Sequence, residues 1–474
     1  MNLRKFAVLA AIPAIAVGCS TVFDAREAQK AVADKGSGAG SRAVERIDLR
    51  GSSLERLVGF AMTNRPSVVL ARLAVENARL ALKEVAADAP LLSATPWTSP
   101  HLSVGGGYDA ASERSTSRLG WRTEGSASAA LSLDLLVWDF GRYSAKADAA
   151  AENVIAAEEE LIQEGYVVFD DVTSAYFNLL EADALLEVAR TNEYEFAEHL
   201  RQARDMLSAG EAQRLDVTRA QMDLSKARQS TVAASNLVVT SGAELMRALG
   251  IDADRGSRED VLPVRSDLFA SVVRGFDGTG YGVGEAFDLA RTNAPVTAIA
   301  RARLRAARSR VDLAIADLLP TVSASASLSW ADPFWFWSWG VGAAQTLFTG
   351  FRKTTALEQA VVSMNSAASE VDEAEQKLSL AVELAIAERD NAKEALAAAW
   401  ASVKSARENY DTVKAQYHEG DASRIDFTDA IGGYATAVGS CITAFYRGQI
   451  AEAKLFAIVG RVPAYHEEVV KEGK

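Results

Sequence analysis

The chain has 474 residues, 49% of them apolar, and a net charge of −13. That acidity argues against nucleic-acid binding, which needs a clustered basic face, and the length suffices for about three domains. Past the N-terminal stretch no apolar run reaches the roughly 18 residues of a membrane-spanning helix, so any membrane crossing falls to β-strands.

At the N-terminus Arg4 and Lys5 precede the apolar run Phe6 to Val17, the order of a secretory signal. Ala16-Val17-Gly18-Cys19 resembles a bacterial lipobox, although Ala16 stands where leucine is usual. The resemblance implies a signal over residues 1–18, lipid on Cys19 and a tether over residues 19–52. Ser20 behind the cysteine, rather than aspartate, fits sorting to the outer membrane. The alternative is an ordinary signal peptide with an incidental cysteine. Cys441 is the one other thiol, too few for an internal disulfide or a zinc site in the lipidated chain.

A helical pattern runs through Leu54, Leu57, Val58 and Ala61, pauses at Asn64-Arg65-Pro66, and resumes from Ser67 to about Ala87. A strand pair follows. Leu102, Val104 and Tyr108 alternate with polar residues, a polar loop intervenes, and Ala127 to Val137 alternates again around Ser126, Ser128, Ser132 and Asp134. Long helices are predicted from near Arg142 to Leu207 and, past Gly210, to Leu249, where Gly250 ends the pattern. Residues 251–284 read as an irregular connection with several glycines.

Between Thr321 and Trp330 the alternation is unbroken, with Val322, Ala324, Ala326, Leu328 and Trp330 on one face and serines on the other. After Ala331-Asp332-Pro333 it continues, Trp337, Trp339, Val341, Ala343 and Leu347 opposing Ser338, Gly340, Gly342, Ala344 and Thr346. Each run is about as long as a membrane-spanning β-strand, ~9–11 residues. Aromatics crowd the turn end, as at a membrane interface. A hairpin of a soluble sandwich would show the same alternation.

The plan occurs twice. Thr63-Asn64-Arg65-Pro66 returns as Thr292-Asn293-Ala294-Pro295, and Asp139-Phe140-Gly141-Arg142 as Thr349-Gly350-Phe351-Arg352. Gly210 to Val217 returns as Gly420 to Phe427, and Gly250 as Gly460. Two equal repeats are predicted, 53–250 and 285–462, with a tail over 463–474. Alternating steps of four and three from Leu357 to Tyr417 trace a coiled-coil seam broken only by Glu375 and Arg389. A matching seam runs from Val154 through Val168, Leu179 and Phe196 to Leu207, on helices on the order of 90–100 Å long.

The search for chemistry is nearly empty. The four histidines are scattered, no Walker or G-x-S-x-G motif occurs, and acidic runs such as Glu158-Glu159-Glu160 read as solvated helix faces. No enzyme, cofactor or metal is expected.

In the paired Asn-x-Pro breaks, the hairpins ending in Arg142 and Arg352, and the two Gly-x-x-x-x-x-Asp tips, the chain resembles the TolC-like outer-membrane efflux proteins, lipoprotein branch. The resemblance implies a mainly α fold with a transmembrane β portion. Four strands cannot close a barrel and open edges are not tolerated in lipid; the family's solution is a homotrimer with a shared twelve-stranded barrel continued by a helical periplasmic tunnel. It implies an exit duct working with an inner-membrane pump and a periplasmic adaptor. Tips at Gly210, Glu211, Gly420 and Asp421 would meet the adaptor, and Asp426, Asp429, Tyr417 and Asp216 would line or hold the aperture. Glu211 and Asp421 stand where the family often has leucine or valine, pointing to a differently charged partner. A type I protein-secretion duct would share the fold, and a periplasmic coiled-coil scaffold would lack the barrel.

Overall fold

The computed structural model describes residues 54–90, 101–115, 120–210, 213–251, 282–331, 334–419 and 421–460. Cys19, the signal and tether, the bulk of the 251–284 connection and the 463–474 tail lie outside the described residues. In chain order the elements are α1 (Leu54–Asn64), α2 (Pro66–Ala87), β1 (His101–Ser115), β2 (Gly120–Trp138), α3 (Arg142–Ala209), α4 (Arg214–Ala248), α5 (Val283–Asn293), α6 (Pro295–Ala316), β3 (Thr321–Ala331), β4 (Phe334–Ala344), α7 (Arg352–Glu419) and α8 (Arg424–Val459).

The second half repeats the first almost residue for residue. Helices α3 and α7 have 68 residues each, α2 and α6 have 22, and α1 and α5 have 11. Each short pair breaks where proline opens the second helix. Arg65 and Ala294, the residues before proline, are extended at ψ 128° and 122°, because the proline ring pushes its predecessor out of the α region. The helix-ending glycines close onto these breaks. Gly250 and Gly460 hold φ of 75° and 74°. A Cβ on Gly250 would lie 3.1 Å from Arg65 Cα, and one on Gly460 2.8 Å from Asn293 Cβ. Two motifs far apart in sequence are thus the two sides of one joint, made twice.

A second repeated joint carries strand into helix. Phe140 and Gly141 sit at φ 56° and 91°, Gly350 and Phe351 at 62° and 65°. The first-half turn is pinned by buried Asp139, whose carboxylate accepts from the backbone N–H of Gly141 (3.2 Å) and Tyr143 (2.6 Å), the first-turn groups a helix cannot satisfy itself. Arg142 donates to the Ala316 carbonyl and pairs with Asp317 at 2.7 Å, while Lys353 donates to the Asp317 carbonyl. Both strand-to-helix joints are therefore tied to the end of α6.

The strands form one antiparallel sheet in the order β1-β2-β3-β4. Small polar residues share one face: Ser132 pairs with Ser103 and Ser327, and Ser327 with Ser338. Hydroxyl contacts Ser103–Ser132 and Ser327–Ser338 fasten that face. Two expectations are corrected. The polar stretch after Tyr108 is a ladder rather than a loop: β1 and β2 pair out to Ser115↔Gly120, whereas β3 stops at Ser128↔Ala331. Alternation marks a strand with one apolar face, and the sequence of this ribbon is mostly polar at both alternate positions, so pairing there left no hydropathy signal. Conversely, alternation outlasts pairing in β4, which ends at Ala344, leaving Leu347 and Phe348 exposed in the approach to the Gly350–Phe351 turn.

Helix α3 is the hub, packed by α1, α2, α4, α6 and α8. Helix α7 takes α5, α6 and α8. The predicted seams are buried through Val168, Val172, Leu179, Leu186, Phe196 and Leu200 in α3 and Leu378, Val382, Ala385, Leu396 and Val403 in α7. Near the start of α7 the buried positions are Ala367 and Ala374 instead, with Val361 exposed. Glu375, a break in the seam, pairs with Arg301 of α6 at 2.9 Å.

Replacing Gly460 with alanine is expected to destabilise the joint by about 1–2 kcal/mol for the left-handed backbone alone, with the Asn293 overlap adding to it. Gly242→Ala, in the interior of α4 with open space at its Cβ, is expected to be neutral or stabilising. Thermal unfolding of the two variants checks the contrast.

Candidate functional site

The two long-helix turns lie at the same end of the hairpins, and there the halves interlock. In each, the third helical residue reaches back to cap the start. Asp216 accepts from the Gln213 N–H at 3.2 Å; Asp426 accepts from the Ser423 N–H at 3.3 Å, and the Ser423 hydroxyl accepts from the Asp426 N–H at 3.2 Å. This reciprocal capping box explains why the same Asp recurs six residues after both tip glycines. Asp426 thus holds its own helix start, and Asp429, one turn on, is exposed.

Arg424, the first residue of α8, crosses to the other half. Its guanidinium lies 3.6 Å from both Asp216 and Asp223 of α4, with the Arg424 and Asp223 side chains largely buried. Beside it the rings stack. Tyr417 lies parallel to Phe427 at 4.7 Å between centroids, and Tyr410 stacks between Phe427 and Tyr434. His199 of α3, 1% exposed, stands edge-on to Tyr417 and Phe427 at 5.7 and 5.5 Å. Neither of its ring nitrogens has a hydrogen-bond partner. Tyr410 donates to Glu195 and accepts from Lys414, closing the network one turn further along. Tyr417 and Asp216, singled out in the sequence, are therefore brought into one lock. Its centre, Arg424, His199, Asp223 and Phe427, was missed there. Arg424 was visible as a repeat of Arg214, but nothing in sequence shows which of the two meets a carboxylate. Of the expected contact positions, Gly210 ends α3 with φ 79° and Asp421 follows α7, while Glu211 and Gly420 lie outside the described residues. Among the described residues no His, Cys, Asp and Glu group could hold a metal ion, and no helix is long and apolar enough to cross a membrane.

The molecule thus combines long helices in duplicated pairs, a sheet whose serines lie on one face and whose β4 tryptophans lie on the other, and a charge-locked tip. The family model of the outer membrane efflux protein matches residues 60–251 and 286–461. The chain belongs to that family, whose members are outer-membrane channels and not enzymes. It is 24% identical over 352 residues to the outer membrane efflux protein BepC of Brucella suis, covering 73% of this chain and 74% of that protein. Its fold is that of a membrane protein from Pseudomonas aeruginosa (TM-score 0.73, 22% identity, 86% of this chain and 93% of that one). The CmeC outer membrane channel of Campylobacter jejuni is equally similar (TM-score 0.73, 16% identity, 88% of each chain).

Burial, followed by the nearby Arg424 charge, holds the His199 pKa below its ordinary value, with Asp223 opposing. A base whose folded pKa is depressed favours folding while neutral. That contribution is present above the unfolded value of about 6.5 and is lost as pH falls toward the folded value. Tip packing is thus expected to weaken below pH ~6.5, seen as faster amide exchange in residues 195–205 and 424–431, and His199→Phe is expected to flatten that pH dependence.

Proposed function

We propose that copies of this chain close head to tail into a trimeric, lipid-anchored exit duct of a tripartite efflux system. The observation that carries this is an unmatched half of the repeat. Helix α6 packs on both α3 and α7, but its counterpart α2 packs on α3 alone of the two long helices; α8 packs on both α7 and α3, whereas its counterpart α4 packs along its length on α3 and meets the second half at the tip. The faces left over are apolar: Leu70, Leu73 and Leu80 on α2, and Met222, Val232, Leu237 and Val239 on α4. By the repeat, the absent neighbour of both is α7 of the next copy, whose Val362, Leu380 and Leu384 are exposed. Strands β1 and β4 are likewise the sheet's unpaired edges. A heterologous interface of this kind closes into a ring when its rotation permits, and three copies make a twelve-stranded barrel.

In that ring the Ser/Gly face lines the lumen and the Leu/Trp face meets lipid, Cys19 carries the anchor, and the helices extend into the periplasm. The tips (Gly210, Glu211, Gly420, Asp421) meet a periplasmic adaptor that couples the duct to an inner-membrane pump. Asp216, Tyr417, Asp426 and Asp429 surround the aperture, held shut by the Arg424 lock. The pump supplies the energy, and the duct needs no cofactor.

Two outcomes test this. Purified protein should run as a heat-modifiable trimer, and Leu73→Arg/Leu237→Arg should abolish it while leaving the monomer helical; a trimer indifferent to that pair would place the interface elsewhere. Arg424→Ala strands Asp223 in a largely buried site at a cost of about 1–3 kcal/mol, so single-channel conductance in planar bilayers should rise. Wild-type and Arg424→Ala trimers that both fail to conduct would overturn the duct.

A further inference from the structure

The tryptophans of β4 occupy one face of the sheet, and the two phenylalanines of the same strand occupy the other. The register decides this. Ser327 pairs with Ser338 and Ser329 with Phe336, whereas Leu328 pairs with Trp337 and Ala326 with Trp339. The Ser327–Ser338 hydroxyl contact of 2.8 Å fixes which face is which. Strand geometry then carries Phe334 and Phe336 onto the serine face, where their rings lie 6.5 Å apart. Side by side at that level stand only small partners: Ser329 and Ala331 on β3, Ala130 and Ser128 on β2, and Gly105 and Gly107 on β1. Both rings are more than half exposed, and nothing among the described residues covers them. An interfacial girdle accounts for Trp335, Trp337 and Trp339 but not for aromatics on the opposite face.

We propose that Phe334 and Phe336 form an aromatic collar inside the lumen at the turn end of the barrel. The collar narrows the exit and favours apolar, ring-bearing solutes over hydrated ions. It rests on the assembly proposed above, in which the serine face is the pore wall. Three copies place six phenyl rings around one level of an otherwise Ser/Gly/Ala surface, and the short side chains of β1 to β3 leave them room to project inward. An apolar ring in a water-filled pore obstructs hydrated ions by partial dewetting and offers its faces to aromatic solutes for stacking.

The experiment uses the full-length trimer in planar bilayers, in the Arg424→Ala background so that the tips do not limit the current. Phe334→Ser/Phe336→Ser is expected to raise potassium chloride conductance and to shorten the current blocks caused by an added aromatic cation such as ethidium. Trp337→Ser, on the other face, is expected to leave both unchanged. Because the double variant could fail to assemble, Phe336→Cys and Trp337→Cys are tested as well. A hydrophilic thiol reagent added from outside should modify the first and lower its conductance, while lipid shields the second; Cys441 is buried. Trimers of the double variant with unaltered conductance and blocks, or labelling of Trp337→Cys in preference to Phe336→Cys, would overturn the collar while the duct stands. Absence of trimers or current in the parent protein would instead overturn the duct reading itself.

Discussion

The unpaired backbone along β1 and β4 governs the rest of this molecule. A sheet of four strands leaves a row of N–H and C=O groups open on each side, and in hydrocarbon each open group costs several kcal/mol. Strands β3 and β4 present Val322, Leu328, Trp337, Trp339 and Val341 on one face and have no covering element among the described residues, so in the proposed assembly pairing with another copy makes the sheet admissible in lipid. In the proposed ring, closure would fix a rotation per copy that the helices continuing from the strands inherit. The strand-to-helix joints that would carry that rotation are tied by Asp139, by Arg142 and by Lys353 onto the end of α6.

Duplication makes the same geometry available within one chain. Because α6 sits against α3 and α7, the chain already contains one example of the contact that the proposed ring gives α2 in a neighbour. Pseudo-symmetry of this kind halves the number of distinct surfaces a ring needs. The halves diverge at the tips. Tyr410, Tyr417 and Phe427 stand where the first half has Leu200, Leu207 and Val217, and Asp223 where the second has Gly433. The stacked aromatics therefore all come from one hairpin, and the carboxylates that receive Arg424 from the other. A lock of this form joins two different hairpins and cannot be satisfied within either.

Much of this architecture was legible in the sequence because it rests on periodicity. The constant spacing between repeats, the proline-broken helix pairs and the four-three seams report burial on one face, which side-chain hydropathy records directly. The paired serine faces were legible for the same reason. What escaped had no hydropathy signature. The β1–β2 ribbon beyond Gly107 is held by backbone pairing, and the capping role of Asp426 depends on a serine three residues earlier. Gly460 reads as an ordinary helix terminator until its approach to Asn293 is seen. His199 gave no signal at all, since a lone histidine on a helix is recognised as buried only when the opposing rings are in place.

The long helices and their tips are stabilised by different physics. Along most of α3 and α7 the packing is largely aliphatic and alanine-rich, flanked by ion pairs such as Arg65–Asp171, Arg305–Glu152 and Arg301–Glu375, so the load is spread over many contacts. At the tips the two hairpins meet through a few groups: an arginine shared by two carboxylates, a stack of four rings, and a buried histidine with no hydrogen-bond partner among the described residues. Each of these depends on ionisation or on a partner's position, and their number is small. A binding protein that drew Arg424 into new contacts would leave Asp223 charged and largely buried, which this arrangement tolerates poorly. The same contact could be made against the seam at little consequence. Sensitivity is thus concentrated where a partner could reach it, and the rest of the helical length serves to hold that end far from the sheet.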